Sequence, residues 1–298
     1  MSDHISVLMN EVLDSLDIKP TDIIVDGTIN GGGHSIEFSK QLSDSGILIG
    51  IDQDATGLFV SEKKLRDVEP QVNLIHDNFR NIDAIVQDLN ISSVDKILLD
   101  LEWSSNQFEN PERGFSFMHD GPLLMTLSDN PESSDFTAYD VVNSWSEKSL
   151  MDILEGYGEE KYAWHIIQKI LEQRAVEPIS STLELAEIIK SAVPDRYKNG
   201  SLHPATKTFQ AIRITVNDEM GALHEVLEKG FNLLPSGGRF VVISFHSIED
   251  RIVKRFFKDK KLNKEADLLT KKPIIPTRDE LHDNRRSRSA KLRVLIKK

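Results

Sequence analysis

The chain has 298 residues, 39% of them hydrophobic, and a formal charge of −12 at pH 7, which fits a soluble protein with one large core or two domains. It contains no cysteine, which excludes disulfides, thiolate metal ligands and cysteine nucleophiles and fits a reducing compartment. It also lacks an apolar stretch of about eighteen residues and a basic flank in its first segment, MSDHISVLMNEV, so we expect a cytoplasmic protein with neither membrane span nor export signal.

The first third of the chain alternates short apolar strands with segments of helical length. The predicted strands are 23–26, 47–52, 72–76 and 96–101. Such alternation is typical of a parallel sheet covered on both faces. Three strands end on or next to an acid: Asp26, Asp52 and Asp100. Because ligands of open α/β sheets bind beyond the carboxyl ends of the strands, we expect these carboxylates at one crevice.

The segment after the first strand, DGTINGGGHS, carries four glycines among seven positions. A phosphate-binding P-loop is excluded because Gly33 is followed by His34 rather than lysine. A nicotinamide GxGxxG fingerprint that begins at Gly31 meets Ile36 at its third position, which leaves a dinucleotide as the weaker alternative. S-adenosylmethionine needs a glycine turn and an acid for its ribose at the second strand, where Asp52 stands. Glycine clusters also mark tight strand-to-helix turns without any ligand.

Helical signals replace the strand pattern for roughly a hundred residues after the fourth strand. Apolar residues recur at helical spacing after Ala163, and Ser181 with Glu184 forms a capping box before a further helix. We therefore expect an inserted helical substrate-recognition domain at 107–202, and a sheet domain formed by 1–106 and 203–298. A later helix, whose apolar residues lie at 223–234, leads to strands at 240–245 and 291–296.

Charge is strongly segregated toward the C-terminal part of the chain. Residues 251–298 contain 17 basic and 6 acidic residues, a net charge of +11, which leaves 19 basic and 42 acidic residues, a net charge of −23, in residues 1–250. A basic segment of this kind is a candidate for contact with nucleic-acid phosphates. The alternative is a solvated segment that balances the acidic body.

Several longer segments resemble, in order, the signatures of one family, the bacterial 16S rRNA cytosine-N4 methyltransferases (RsmH or MraW). These segments are HISVLMNEVLDSL, DGTINGGGHS, GIDQD, NPERGFSFMHDGPL, YGEEKYAWHI, HPATKTFQAIRITVN, SFHSIEDRIVKRFF and NRRSRSAKLR. They run from His4 to Arg293 and so cover nearly the whole chain. The resemblance implies a class I, Rossmann-like α/β methyltransferase fold with an inserted helical domain and S-adenosylmethionine as methyl donor. It implies the N4 atom of a decoding-centre cytidine, in 16S rRNA of the small ribosomal subunit, as acceptor.

The resemblance also assigns residues to the site. The implied cofactor contacts are Gly31, Gly32, Gly33, His34, Asp52, Phe79, Asp100 and Gln107. The candidate RNA contacts are basic residues within these segments: Arg213, Lys254, Arg255, Arg285, Arg286 and Arg288. The alternative for some of them is an ion pair with the excess acids of the body. No metal site is expected. For some positions a plainer interpretation stays open: Phe79 as core, Gln107 as a loop amide, and His34 as a backbone or orienting contact.

The chemistry of methyl transfer singles out Asp100. The exocyclic amine of cytosine has a delocalised lone pair, and an acceptor at its N–H groups would localise that pair and take the proton. A carboxylate at a strand end suits this role, so Asp100 is the predicted catalytic residue. The alternative is that this side chain only caps the loop that follows.

Two segments depart from the family pattern. DLEWSS carries Glu102 and Trp103 where the family usually has glycine and valine or isoleucine, and GPLLMTLSD carries Leu124 and Thr126 in place of Asp and Arg. These departures favour an alternative, a non-catalytic S-adenosylmethionine- and rRNA-binding protein of ribosome assembly. We expect Glu102 to point to solvent and Trp103 to pack under the sheet, because adjacent residues at a strand end face opposite ways.

Overall fold

A computed structural model describes residues 5–103, 110–127 and 136–298. The chain divides into two compact units, a sheet unit of Met1–Glu102 with Met220–Lys298 and a helical unit of Trp103–Glu219. The helical unit extends beyond the 107–202 expected from the sequence. The difference arises chiefly after residue 202, where apolar side chains such as Phe209 and Ile212 join the core of this unit.

Seven strands form one sheet in the sheet unit. They are β1 (Ile23–Asp26), β2 (Ile47–Asp52), β3 (Gln71–His76), β4 (Lys96–Asp100), β5 (Arg239–Ser244), β6 (Ala266–Leu268) and β7 (Lys291–Lys297). Their order is β3-β2-β1-β4-β5-β7-β6, with β7 antiparallel to both of its neighbours and the other pairs parallel. The sequence predicted six of these strands, whereas β6, with three residues, is too short to show a pattern.

Helices connect the strands and build the helical unit. In chain order they are α1 (Met9–Leu16), α2 (Gly33–Ser39), α3 (Ala55–Lys64), α4 (Ile82–Asp88), α5 (Ala138–Ser144), α6 (Glu147–Gly156), α7 (Ala163–Arg174), α8 (Thr182–Ala192), α9 (Asp195–Lys198), α10 (Thr206–Val216), α11 (Glu219–Leu233), α12 (Ser247–Leu262) and α13 (Arg278–Asp283). Within the described part of the chain, none is both long and apolar enough to cross a membrane.

Both faces of the sheet are buried, which explains why the strands are apolar throughout. Successive strand residues point to opposite faces, so Val25 and Ile97 pack with residues of α4, α11 and α12. Ile24 and Leu98 pack on the other side with residues of α1 and α2. This three-layer arrangement is the Rossmann-like α/β fold expected from the sequence.

The helical unit has an apolar core of its own. Helices α5, α6, α7, α8 and α10 contribute buried residues to one continuous cluster, and Tyr197 of α9 packs against it. Ser181 caps α8 as predicted, because its hydroxyl accepts the N–H of Glu184 over 3.3 Å. At the end of α7, Arg174 donates to the carbonyl oxygens of Val142 and Trp145, both at 2.8 Å, and so ties three segments together.

Candidate active site

Three adjacent strands bring acidic residues to one edge of the sheet. In the order β2, β1, β4, they end with Asp52, Asp26 and Asp100. The strands are parallel, and Asp26 pairs in register with Gly50 of β2 and Leu98 of β4. All three therefore end at the same edge, as expected from the sequence, and the glycine turn follows the middle one.

Asp26 stabilises the glycine turn through hydrogen bonds. Its buried carboxylate accepts the hydroxyl of Ser35 at 2.7 Å and the N–H of Thr28 at 3.2 Å. Burial raises the pKa of Asp26 to about 6, against the lowering effect of these two donors. The hydroxyl of Thr28 in turn accepts the N–H of Asp100 at 2.6 Å. The turn is thus tied to the end of β4 as well as to α2.

Positions 31–33 are each glycine under a different local constraint. Gly32 has φ of 72°, in the left-handed region that glycine adopts without strain. A Cβ atom on Gly33 would collide with Oγ of Ser6, so the N-terminal segment packs directly against it. A Cβ atom on Gly31 would meet only a methyl group of Val60, at an ordinary 3.7 Å. At Gly31, neither a left-handed backbone conformation nor a close neighbour requires glycine, and space is left beside the backbone.

Asp52 faces the glycine turn from the end of β2. Its carboxylate accepts the N–H of Asn30 at 2.7 Å and the N–H of Asp54 at 2.9 Å. Burial raises the pKa of Asp52 to about 6, although both donors oppose that shift. The side chain keeps partial contact with solvent, and each carboxylate oxygen retains a lone pair. Asp52 can therefore accept two further donors, such as the vicinal hydroxyls of a ribose.

His34 occupies the first turn of α2 and is buried. Its Nε2 atom lies 3.0 Å from the carbonyl oxygen of Val7, and because a carbonyl only accepts, Nε2 carries a proton. Its Nδ1 atom lies 3.6 Å from Oδ2 of Asp100, too far for a hydrogen bond but close enough for electrostatic coupling. His34 thus has the geometry of an orienting residue between the N-terminal segment and the end of β4.

Asp100 has the most strongly perturbed environment of the three acids. Its side chain is 12% exposed, and its Oδ1 atom accepts the N–H of Glu102 at 3.3 Å. Burial is the largest of the causes that raise the pKa of Asp100 well above its usual range, and the nearby Glu102 carboxylate adds to it. The guanidinium of Arg286 acts in the opposite direction. A carboxyl group that titrates unusually high suits proton exchange near neutral pH.

Glu102 does not point to solvent, and that expectation was wrong. Its side chain is 10% exposed, and its Oε1 atom lies 2.8 Å from Nε of Arg286. Burial raises the pKa of Glu102, and the Arg286 guanidinium opposes that rise. Sequence spacing did not reveal this pair because its members are far apart in the chain. The departure from glycine at this position therefore comes with a basic partner beside Asp100.

Phe79 and Gln107 complete the predicted cofactor contacts. Phe79 begins a 3₁₀ turn after β3, and Asn78 caps that turn by accepting the N–H of Arg80 at 2.9 Å. Phe79 packs partly against the core, and its Cβ atom would lie 3.4 Å from a Cβ atom on Gly27. It is thus both a core residue and a wall of the glycine turn. Gln107 lies outside the described residues.

Trp103 and Arg213 pack together within the helical unit. Trp103 was expected to pack under the sheet, and that expectation was wrong. It packs in the core of the helical unit, against Phe115, with ring centres 4.8 Å apart. The guanidinium of Arg213 lies 4.3 Å from the centre of the Trp103 ring. Arg213 also donates twice to Glu219, both times at 2.9 Å, and its side chain is 13% exposed. These internal partners occupy the guanidinium and give Arg213, which the sequence predicted as an RNA contact, a structural role.

The second departure, at Leu124 and Thr126, lies in a segment held through its backbone. Arg113 donates to the carbonyl oxygen of Leu127 at 2.8 Å, and the side chain of Asn217 accepts the N–H of Leu127 at 2.9 Å. These anchors do not depend on the side chains at 124 and 126. Nothing among residues 5–103, 110–127 and 136–298 explains the change from charged side chains at these two positions.

The other predicted RNA contacts lie in the sheet unit. Lys254 and Arg255 are exposed on α12, and Arg285 and Arg288 are exposed in the 3₁₀ segment Arg285–Ser289. None of these four has an ion pair with an acid of residues 5–103, 110–127 or 136–298. Arg286, in the same 3₁₀ segment, is the exception because it binds Glu102.

Comparison with known proteins identifies the family. The whole chain, residues 1–298, matches the model of the MraW methylase family. The chain belongs to this family. Ribosomal RNA small subunit methyltransferase H of Clostridioides difficile (strain 630) is 42% identical to this methylase, over 99% of the chain and 98% of the relative. The protein of that name from Clostridium botulinum (strain Loch Maree / Type A3) is 46% identical over the same shares. A crystal structure of an rRNA methylase from Streptococcus thermophilus is 11% identical, with a TM-score of 0.42, and covers 97% of this chain and 93% of that one.

The donor of this methylase is S-adenosylmethionine, which supplies an electrophilic methyl group on a sulfonium. The residues at the sheet edge fit such a molecule. Asp52 has lone pairs left for hydroxyl groups, and Gly31 leaves space beside its backbone. Two acids, Asp52 and Asp100, lie on opposite sides of the glycine turn, so one can hold a sugar while the other faces a reacting group.

Proposed function

We propose that this methylase acts in the cytoplasm on 16S rRNA of the small ribosomal subunit and methylates the N4 atom of a decoding-centre cytidine. The observation that carries the proposal is the environment of Asp100. This buried acid, with a raised pKa, ends the strand beside the glycine turn in a chain that belongs to the MraW methylase family along its full length. The names of its relatives support small-subunit rRNA as substrate.

Asp100 has the central role in the proposed reaction. In its ionised form it accepts a hydrogen bond from the exocyclic amine, localises the nitrogen lone pair and receives the proton as charge develops. The N–H of Glu102 donates to this carboxylate and helps to orient it, and Nδ1 of His34 lies 3.6 Å from its other oxygen. Once protonated, Asp100 cannot take up the proton of the amine. The proposal therefore requires activity to rise with pH as Asp100 ionises.

Donor binding is assigned to the glycine turn and its surroundings. The proposed contacts are Gly31, Gly32, Gly33, His34, Asp52, Phe79, Asp100 and Gln107. Asp52 holds the ribose hydroxyls, and the exposed side of Gly31 lets the donor approach the backbone. Phe79 forms a wall of the same turn.

A basic stripe on α12, defined as Lys254, Arg255, Lys258 and Lys261, is the proposed contact with RNA phosphates. These side chains are exposed. Lys254, Lys258 and Lys261 recur four and three residues apart and so share one face of the helix, and Arg255 lies three residues before Lys258, at the side of that face. None has an ion pair with an acid among the residues that the structure describes. From Lys254 to Lys261 the stripe extends about 10 Å at 1.5 Å per residue, enough for two phosphates of a strand.

Methyl transfer to small ribosomal subunits that lack the modification tests the proposal. The subunits are incubated with isotopically labelled donor, and the rRNA is digested and mapped by mass spectrometry. We expect one N4-methylcytidine in the decoding centre. If the protein binds the donor by calorimetry but transfers no methyl group, the non-catalytic binding protein is the correct function. Label at another nucleotide or atom would refute the proposed specificity.

A further inference from the structure

A cavity lies in the sheet unit near the end of β5. Its volume is about 360 Å³, and its walls come from three segments: the residues after β5, the chain before and along α13, and the residues before β7. A volume near the lower limit for small-ligand pockets suits one nucleotide rather than a duplex. None of the proposed donor contacts that the structure describes lines this cavity.

The sheet register places this cavity next to the proposed chemistry. Asp100 pairs in register with Ile243 of β5, and Phe245, in the cavity wall, follows two residues later. The two positions are thus one strand spacing, about 4.8 Å, and two residues apart. From the other side, Arg286 binds Glu102 at the end of β4, and Arg288 of the same 3₁₀ segment lines the cavity.

The lining of the cavity combines apolar side chains with a cation. Phe245, Ile275 and Leu281 supply apolar surface, and Ile275 is 62% exposed. The segment of Ile275 is held in place by two hydrogen bonds of 2.9 Å between Ile274 and Leu292. The exposed apolar surface therefore belongs to a fixed wall.

The charge in the cavity favours an anionic ligand. Arg288 is exposed and has no ion pair with an acid among the described residues, whereas Lys291 lies 3.4 Å from Asp250. Arg288 is thus available for a phosphate, and its planar guanidinium suits bidentate contact. Single-stranded RNA is recognised in this way, by apolar or aromatic contact with a base and by cationic contact with its phosphate.

We propose that this cavity binds a nucleotide next to the methylated cytidine in the rRNA. Its base lies against Ile275, Leu281 and Phe245, and its phosphate binds Arg288. Contacts with flanking nucleotides are a general means by which enzymes that modify a base choose their sequence context. The inference rests on the proposed function and adds a specificity site that lies outside the donor contacts.

Two cavity variants and two matched controls test the inference by steady-state kinetics with small ribosomal subunits. Ile275→Glu places an acid in the cavity and Arg288→Gln removes its cation. Leu269→Glu and Arg278→Gln make the same changes at exposed positions outside the cavity. We expect the KM for subunits to rise about tenfold in each cavity variant, because Ile275→Glu repels the phosphate and buries a charge against the base, and Arg288→Gln removes the phosphate contact. The KM for the donor and kcat should stay within about twofold, as should all constants of the controls.

Photo-crosslinking from position 275 identifies the ligand. A benzophenone side chain at position 275 should crosslink to rRNA within about three nucleotides of the methylated cytidine, whereas the same group at position 269 should not. Unchanged KM values, or crosslinks only to distant rRNA, would overturn the inference while leaving the proposed function intact. Wild type that transfers no methyl group would instead refute the proposed function. Binding of free nucleoside monophosphates without competition from subunits would assign the cavity to free nucleotides and also overturn the inference.

Discussion

The ends of β2 and β4 carry the same type of residue in different surroundings. Asp52 accepts two backbone N–H groups and keeps contact with solvent, and its pKa is raised to about 6. Asp100 lies beside a second carboxylate, Glu102, and burial and that neighbour raise its pKa well above the usual range. The basic partner Arg286 limits that rise.

This difference assigns the two acids to different tasks. Asp52, whose partners are N–H groups of the turn, is suited to hold neutral hydroxyl groups in a fixed arrangement. Asp100, whose pKa is raised by burial and by Glu102 and lowered by Arg286, is suited to exchange a proton. We therefore propose that these two aspartates at one sheet edge divide binding and chemistry between them because their neighbours differ. Substitutions at each end should therefore affect different kinetic constants.

The largest effect is expected from Asp100→Asn. The amide keeps the size of the side chain but cannot take a proton from the amine, so kcat should fall at least about 100-fold, the lower end of what general base catalysis contributes. Single-turnover methyl transfer to small subunits measures this change. Asp88→Asn, at an exposed position at the end of α4, serves as the control. A kcat within threefold of wild type would exclude Asp100 as the proton acceptor.

A smaller and different effect is expected from Asp52→Asn. Hydrogen bonds to a charged group contribute about 1.5–3 kcal/mol, so donor affinity should fall by roughly tenfold or more, whereas kcat at saturating donor should change little. Isothermal calorimetry gives the affinity, and methyl transfer gives kcat. If affinity is unchanged and kcat falls instead, the tasks assigned to the two strand ends are reversed.

Substitutions in the basic stripe of α12, away from the ends of β2 and β4, should change neither kcat nor the affinity for the donor. Lys258→Gln with Lys261→Gln removes two charges of the basic stripe on α12, so the slope of log affinity for rRNA against log salt should decrease by up to about 0.7–0.9 for each phosphate that is no longer neutralised. Filter binding across a salt series measures this slope. Glu228→Gln, an exposed acid on α11, is a control that should not reduce it. An unaltered slope in the double variant would show that the stripe does not contact RNA.

The surroundings of Asp52 at the end of β2 could be predicted from the sequence better than those of Asp100 at the end of β4. The glycine turn, the apolar strands and the position of Asp52 depend on residues close in sequence, where spacing is informative. The partner of Glu102 could not be predicted, because Arg286 lies 184 positions away and reaches β4 only through the sheet order. Considered without its partner, Glu102 was expected to be exposed. The ion pair with Arg286 shows that this expectation was wrong.

Arg213 illustrates a second limit. A lone arginine in a helix next to apolar residues gives the same sequence signal whether it contacts RNA or a buried acid. Only the fold places Glu219 and the Trp103 ring around its guanidinium. The strand β6 has the same problem, since three residues carry no periodic pattern.

The central claim, that Glu102 and Arg286 set the charge of the proton acceptor at β4, is tested most directly by pH–rate profiles. At saturating donor, kcat/KM for small subunits should rise with pH as Asp100 ionises. Glu102→Gln removes a neighbouring negative charge, lowers the pKa of Asp100 and should move the midpoint to lower pH. Arg286→Gln removes the opposing positive charge and should move it to higher pH, whereas Arg278→Gln should leave it in place. Midpoints that move in the same direction in the first two variants, or that do not move, would contradict the account.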